Sequence, residues 1–320
     1  MINDFPTFWQ FSFIFKLQNP KDMKYNRREF LKVSSASTVG LMALPYASAL
    51  AAQNSSIGIG LQIYTIRDAI AADLEGSLEK VAELGYVNVE LAGYSDGKLY
   101  GMAPKKFRKL LDDLGLKAVS SHTVVEAKSD GINAQQMADT HAELGVAFCV
   151  HPWVQEEDRK VERYKQFCED WNGVGEAMKN VGIQFAYHNH NFEFANLDGI
   201  VPYYDILLKE LDPELVAQEL DCFWATKAGQ DPVEMFNKYP GRFHLLHLKD
   251  MSEDNTPYYT IKKDDIVSVG EGLIDYKRIL SAAEKGGVKY GFVEDDNQGN
   301  GKPFQAIETS INNLNSKILR

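Results

Sequence analysis

Three cysteines in 320 residues (Cys149, Cys168 and Cys222) are too few and too scattered for a disulfide framework. Long apolar runs are missing too. The most apolar stretch, residues 33–50, is broken by Ser34, Ser35, Ser37, Thr38 and Pro45, and no later stretch approaches the roughly 20 residues that cross a bilayer. Positive charge is short: 34 Lys and Arg stand against 45 Asp and Glu, for a net charge of −11. A surface that acidic repels nucleic acid and anionic membranes. No Gly-x-Gly-x-x-Gly follows the first predicted strand, which argues against a dinucleotide fold. Neither a glycine-rich nor an arginine-rich phosphate cradle is present.

What is there begins with a leader. Asn26-Arg27-Arg28-Glu29-Phe30-Leu31-Lys32 resembles a twin-arginine export signal. A weakly apolar stretch follows, and Ala47-Ser48-Ala49 and Ala49-Leu50-Ala51 each offer a small-x-small cleavage site. Residues 1–51 are therefore expected to be a leader and cleavable signal peptide, against the competing reading of a plain membrane anchor. Residues 52–320 are the expected mature domain, periplasmic and without stable membrane association after cleavage. Met23, three residues before the motif, is a second candidate start. The leader carries six basic and three acidic side chains, so its removal takes the net charge from −11 to −14.

From Ile57 onward, short β-rich runs alternate with segments that are apolar every three or four positions. The expected strand–helix pairs are 57–65 with 74–84, 86–91 with 103–114, and 116–122 with 134–144. Strand 147–151 precedes a long helix striped by Val161, Tyr164, Phe167, Trp171, Val174 and Met178. Then come 183–188 with 203–211, 215–221 with 232–239, and 243–248 with 276–285. Strand 290–294 is followed by a helix carrying Phe304, Ile307, Ile311, Leu314 and Ile318. Leu84-Gly85, Leu114-Gly115 and Leu144-Gly145 recur every 30 residues. Glycine there supplies the left-handed residue that ends a helix and turns the chain into the next strand. Eight such units in one domain predict the α/β class and a single closed (β/α)8 TIM barrel.

The polar residues fall where such a barrel places its chemistry, at the carboxyl ends of the strands. Tyr187-His188-Asn189-His190-Asn191-Phe192-Glu193-Phe194 closes the fifth strand with two imidazoles spaced to share a strand face. The first strand ends near Gln62 and Tyr64, the second at Glu90, the third at His122 and the fourth at His151. The sixth ends at Asp221, the seventh at His247 with Lys249 and Asp250, the eighth at Glu294. Of the seven histidines only His141 lies on a predicted helix, and only His244 sits early in its strand. Imidazole and carboxylate are the usual ligands of borderline divalent cations, so this convergence predicts a metal-dependent active site. Plainer readings stand beside it: Asp221 as a helix cap, Glu294 as solvated loop with Asp295 and Asp296, Trp153 and Trp224 as packing rather than a sugar platform.

Gly60-Leu61-Gln62-Ile63-Tyr64-Thr65-Ile66-Arg67-Asp68, Val89-Glu90-Leu91-Ala92-Gly93 and the 187–194 segment come first in a longer series of motifs. Glu219-Leu220-Asp221, His247-Leu248-Lys249-Asp250, Val269-Gly270-Glu271-Gly272 and Val293-Glu294-Asp295 follow. In that order the set resembles the sugar phosphate isomerase/epimerase family of xylose-isomerase-like barrels. The resemblance implies a divalent metal, manganese, cobalt or zinc ahead of magnesium, held by His188, Asp221, His247 and Glu294. The family carries glutamate on strand five where this chain has His188. That removes one half of the glutamate pair that moves a proton in the epimerases. Beside Glu294, the second acid/base is then expected among His188, His190, Glu193 and Glu90. His122, His151, His190, Lys249 and Trp224 are expected to bind substrate hydroxyls or relay protons. The endonuclease branch of the superfamily fits poorly, because Trp224 stands where its histidine would be.

Three functions are carried forward. The first is an isomerase or epimerase of a sugar or keto-sugar, working through a metal-stabilised enediolate. The second is elimination from that intermediate, giving a lyase or dehydratase acting on a 3-keto sugar or 3-keto glycoside. The third is a non-catalytic sugar-binding barrel. The expected partner is a small-molecule carbohydrate, not nucleic acid, and a homo-oligomer is compatible with the sequence. The segment 251–273, with Tyr258 and Tyr259, is long enough to serve as a lid.

Overall fold

A computed structural model of the chain describes residues 55–125, 133–195, 202–252 and 265–320. Eight parallel strands close into a barrel in chain order. They are β1 (Gly58–Gln62), β2 (Asn88–Leu91), β3 (Lys117–His122), β4 (Phe148–His151), β5 (Gln184–His188), β6 (Val216–Asp221), β7 (Phe243–Leu248) and β8 (Tyr290–Val293). β8 pairs back onto β1, Phe292 beside Gly60. The outer helices are α1 (Leu74–Glu83), α2 (Pro104–Asp113), α3 (Ala134–Leu144), α4 (Val161–Asn180), α5 (Tyr203–Glu210), α6 (Pro232–Lys238), α7 (Tyr276–Lys285) and α8 (Pro303–Asn313). The TIM barrel expected from the sequence is the fold. The export motif and Tyr258 and Tyr259 of the expected lid lie outside the described residues. Among those described, no helix is long and apolar enough to cross a membrane.

Strand alternation divides the core in two. A small cluster of Val119, Phe148, Val150, Ala186, Ala217, Leu245 and Phe292 fills the barrel. A much larger one, including Phe185, Tyr187, Leu220 and Leu246, lies between strands and helices. The inner cluster holds two phenylalanines because β1 brings glycine to its inner face. A Cβ on Gly60 would lie 2.6 Å from Phe292 Cδ1 and 2.9 Å from the Asn88 carbonyl oxygen. The ring can turn but the β2 backbone cannot, so Gly60→Ala is an overpacking change. It should cost about 2 kcal/mol or more, read as a fall of roughly 4–8 °C in melting temperature. An unchanged melting temperature would mean that the inner layer is loosely filled.

The helix-ending glycines of the repeat behave as the spacing predicts: Gly85, Gly115, Gly145 and Gly182 all have φ between 72° and 92°. The first strand is shorter than expected. The Gln62 side chain accepts from the Tyr64 N–H at 3.0 Å, and the chain turns into a 3-10 turn over Ile63–Ile66. Two short antiparallel ladders outside the barrel, 94–95 with 98–99 and 250–251 with 266–267, escape the sequence reading because two-residue strands leave no periodicity.

His141 on α3 is structural. Its Nδ1 donates to the Met137 carbonyl (2.7 Å) and its Nε2 shares a hydrogen bond with Thr123 Oγ1 (2.9 Å). Burial pushes the ring down to about 4 from 6.5. As pH falls below 6.5, the unfolded chain takes up a proton that the folded ring refuses. Stability present above that pH is therefore lost progressively down to about pH 4, by roughly 3 kcal/mol for this ring. The slope of unfolding free energy against pH should flatten in that window in His141→Gln; an identical slope would refute the assignment.

Candidate metal centre

His188, Asp221, His247 and Glu294 come from the ends of β5, β6 and β7 and the residue after β8. One ligand atom from each lies within 4.8 Å of the others. All four side chains are buried at the mouth of the barrel. The strand register explains the meeting, since His247 pairs with Asp221 on one side and Phe292 on the other.

The donor set suits a borderline divalent cation, two imidazole nitrogens and two carboxylate oxygens. The orientation of His188 adds a sharper argument. Its Nδ1 lies 2.9 Å from the Pro152 carbonyl oxygen. A carbonyl only accepts, so that nitrogen carries the hydrogen and Nε2 holds the lone pair of the neutral ring. Nε2 faces Asp221 Oδ2 at 3.3 Å. Two lone-pair atoms at that separation call for a cation or a proton between them. Asp221 is the helix cap, one of the two roles weighed for it: Oδ1 caps the short helix Cys222–Lys227 through the Trp224 N–H at 2.8 Å, and Oδ2 faces the cluster.

A second group adjoins the first through His247: Glu90, His122 and Glu219 offer ligand-type atoms around it. His247 Nε2 lies 2.7 Å from Glu90 Oε2, which Gln62 Nε2 also holds at 2.8 Å. That contact leaves Nδ1 aimed at Glu294 Oε2, 2.8 Å away. A carboxylate behind a ligating histidine fixes its tautomer and ring plane. Glu90 therefore orients His247 and does not join the four. Glu219 is the functional residue that sequence reasoning missed. It is fully buried, and its Oε2 lies 2.7 Å from His122 Nε2. The signal was available: Glu219 is two residues before Asp221 on one strand and so shares its inward face.

Charge organises the group. Burial alone would push His247 down, but Glu219, Glu294 and Glu90 around it raise it well above the ordinary histidine value. Burial would raise Glu90, yet His122 and His247 bring it down to about 2. Glu219 goes the other way, raised well above the usual carboxyl range by burial and by the neighbouring Glu90 charge. Burial brings His122 down to about 3, although Glu90 pulls upward. Lys249, fully buried, is held protonated against burial by Asp221 Oδ2 at 3.1 Å, Glu294 Oε2 at 2.9 Å and Asp296 Oδ2 at 2.6 Å. The same ammonium, with His247, overrides burial to keep Glu294 well below its ordinary value.

Other expected site residues fall elsewhere. Glu193 is not at the centre. It sits behind β5, where Oε1 accepts from the Tyr187 hydroxyl and Oε2 from the His190 N–H at 2.9 Å. The cause is alternation: Tyr187 faces the helices, and the turn over Phe192–Phe194 carries Glu193 to that side. His151 also faces outward. Its Nδ1 accepts from the Val125 N–H at 3.0 Å and its ring lies 4.6 Å from Trp171, so it braces the β3 loop instead of binding substrate. His190 does not share a strand face with His188, because β5 stops at His188. It lies instead between Trp153 (6.2 Å) and Trp224 (5.4 Å) at the mouth. Lys249 Nζ is 5.4 Å from the Trp224 ring centroid.

The profile of the xylose isomerase-like TIM barrel family matches residues 78–316. The chain belongs to that family. A sugar phosphate isomerase/epimerase from Parabacteroides distasonis is 29% identical, with a TM-score of 0.70 over 83% of this chain and 96% of that one. Among curated proteins, an inosose dehydratase from Lacticaseibacillus casei is 28% identical over 123 residues, 36% of this chain and 40% of the relative's length. The fold also superposes on the IOLI protein with a bound zinc atom, at 16% identity and a TM-score of 0.63 over 82% of this chain and 99% of that one.

Proposed function

We propose that this barrel is a divalent-metal-dependent lyase that eliminates water, or another group β to a carbonyl, from a keto-sugar or a related cyclic polyol. The observation that carries the reading is the locked His188 ring, whose Nδ1–H is committed to the Pro152 carbonyl. An isomerase or epimerase of the two-carboxylate kind needs a mobile acid/base on each side of the reacting carbons. Here the strand-five residue is an imidazole whose Nδ1–H is already committed to a carbonyl, so one carboxylate of that pair is missing. His188, Asp221, His247 and Glu294 would hold the metal, which would supply polarisation of a carbonyl oxygen and acidification of the neighbouring C–H.

The chain's own groups do the rest. Glu294 is ionised and 6% exposed at the mouth, and takes the proton as the C–H bond breaks. The electron pair forms the new C=C bond and expels the β-hydroxyl, which leaves as water with a proton from the Glu219–His122 pair. His122 is the member of that pair open to the mouth, with 9% of its side chain exposed against none for Glu219. Trp224 binds a substrate hydroxyl, while Lys249, fully buried with its three donors on Asp221, Glu294 and Asp296, holds those carboxylates in place and does not reach substrate. Similarity to curated inosose dehydratases supports elimination, while the named similarity of the Parabacteroides protein favours isomerisation or epimerisation as the second reading. The motif at residues 26–32 supports export, and a periplasmic site of action is part of the proposal.

The test is product mass after incubation with C3-oxidised hexoses and their glycosides in deuterated water with manganese. Elimination predicts a product lighter by water or by the aglycone, abolished by a chelator. A product of unchanged mass with deuterium incorporated replaces this reading by isomerisation or epimerisation. No exchange at all leaves a sugar-binding barrel.

A further inference from the structure

The large apolar side chains exposed among the described residues are Tyr64, Val87, Val124, Trp153 and Leu273. Only Val87 precedes its strand. Tyr64 follows β1, Val124 follows β3, Trp153 follows β4 and Leu273 lies in the connection after β7. All four are therefore in segments leaving the end of the barrel that carries the candidate metal centre. Exposed apolar residues scattered singly mean nothing, but gathered at one end they mark a surface that meets a ligand.

Trp153 is the largest of them and it is held in place. The Arg159 guanidinium carbon lies 5.5 Å from its ring centroid and 3.4 Å from that of Phe192, and Arg159 Nε donates to the Val154 carbonyl at 3.1 Å. From Trp153 a file of rings leads inward, to His190 at 6.2 Å and on to His188 at 5.0 Å. Between rim and centre, His190 Nδ1 and Trp224 Nε1 are buried and have no hydrogen-bond partner among the described residues. Buried polar atoms left unpaired by the protein are the ones a hydroxylated ligand satisfies.

We propose that Trp153 stacks an aromatic aglycone while the sugar ring lies inward of His190, so that the preferred substrate class is the aryl glycoside, not the free sugar. The inference rests on the reading that the mouth binds a carbohydrate, and it deepens that reading by adding a second, apolar subsite.

Calorimetric titration of the full chain with phenyl and methyl β-D-glucopyranoside, with manganese and again with chelator, tests it. The phenyl glycoside should bind about tenfold more tightly, the range of one aromatic stacking contact. Trp153→Ala should bring that preference to within about twofold, and Trp153→Phe should keep most of it, both leaving methyl glycoside binding unchanged. An equal preference in wild type and Trp153→Ala overturns the proposal, as does no preference in wild type or no binding of either probe. A tenfold preference here, with no elimination product from the C3-oxidised glycosides, would leave the aryl subsite standing and sink the lyase reading. Product formation without the preference does the reverse.

Discussion

Asp221→Asn should leave the barrel folded and abolish tight metal binding. The amide oxygen can still accept from the Trp224 N–H, the contact Asp221 Oδ1 makes at 2.8 Å, so the helix cap survives. What is lost is the negative charge on Oδ2, which faces His188 Nε2 at 3.3 Å and Lys249 Nζ at 3.1 Å. A metal that binds only the folded chain raises its stability by about 2.7 kcal/mol at a hundred times the dissociation constant. Wild-type protein should therefore melt later as manganese, cobalt or zinc is added, and Asp221→Asn should not respond at the same concentrations. Metal content per chain after dialysis supplies the second reading, near one for wild type and near zero for the variant. Equal content in both would remove Asp221 from the ligand set and take the metal-dependent account with it.

Asp250→Ala should be the most destabilising of the single changes considered. Asp250 directly follows Lys249, and its buried carboxylate accepts four backbone N–H groups. Oδ1 takes those of Met251 (2.8 Å) and Ile274 (3.0 Å), Oδ2 those of Gly270 (2.9 Å) and Gly272 (3.1 Å). One side chain thus ties the start of a long excursion to its return. Gly272 shows how closely the turn wraps it, since a Cβ there would lie 2.4 Å from both Asp250 Oδ1 and the Met251 carbonyl oxygen. Removing the acceptor strands donors that cost about 1–3 kcal/mol each when left unpaired. Partial rehydration limits the total, which we place at about 4 kcal/mol, or roughly 10 °C in melting temperature. Asp250→Asn keeps one acceptor oxygen and should fall about midway. Denaturant titration of both variants checks the order; a loss under about 1 kcal/mol in Asp250→Ala would show the excursion held by other contacts.

The barrel was legible because its signals are local. Helix 134–144, strand 243–248 and helix 276–285 fall on the bounds read from periodicity. Strand-end logic also put the four residues that meet at the mouth among its candidates, and the family resemblance singled them out. Where reading failed, the cause was a change of local geometry that the sequence does not announce. Glu193 was placed with His188 by proximity along the chain, yet the turn after β5 sends it behind the strand to Tyr187. His190 was paired with His188 by a two-residue period that stops applying once the strand ends. Glu219 was overlooked although the same period, valid inside β6, puts it beside Asp221.

The sequence by itself determined the alternation of strands and helices, the glycine that ends each of several helices, and the set of imidazoles and carboxylates at the strand ends. Periodicity and turn chemistry act over a few residues, so they can be read without a fold. Only the tertiary structure decided which of those side chains share a point in space, and in which protonation state. The Pro152 carbonyl that fixes His188 lies 36 positions earlier in the chain, and Glu90, which orients His247, lies 157 positions earlier. Closure of the barrel brings them together, and burial in one charged cluster then sets which of them hold protons.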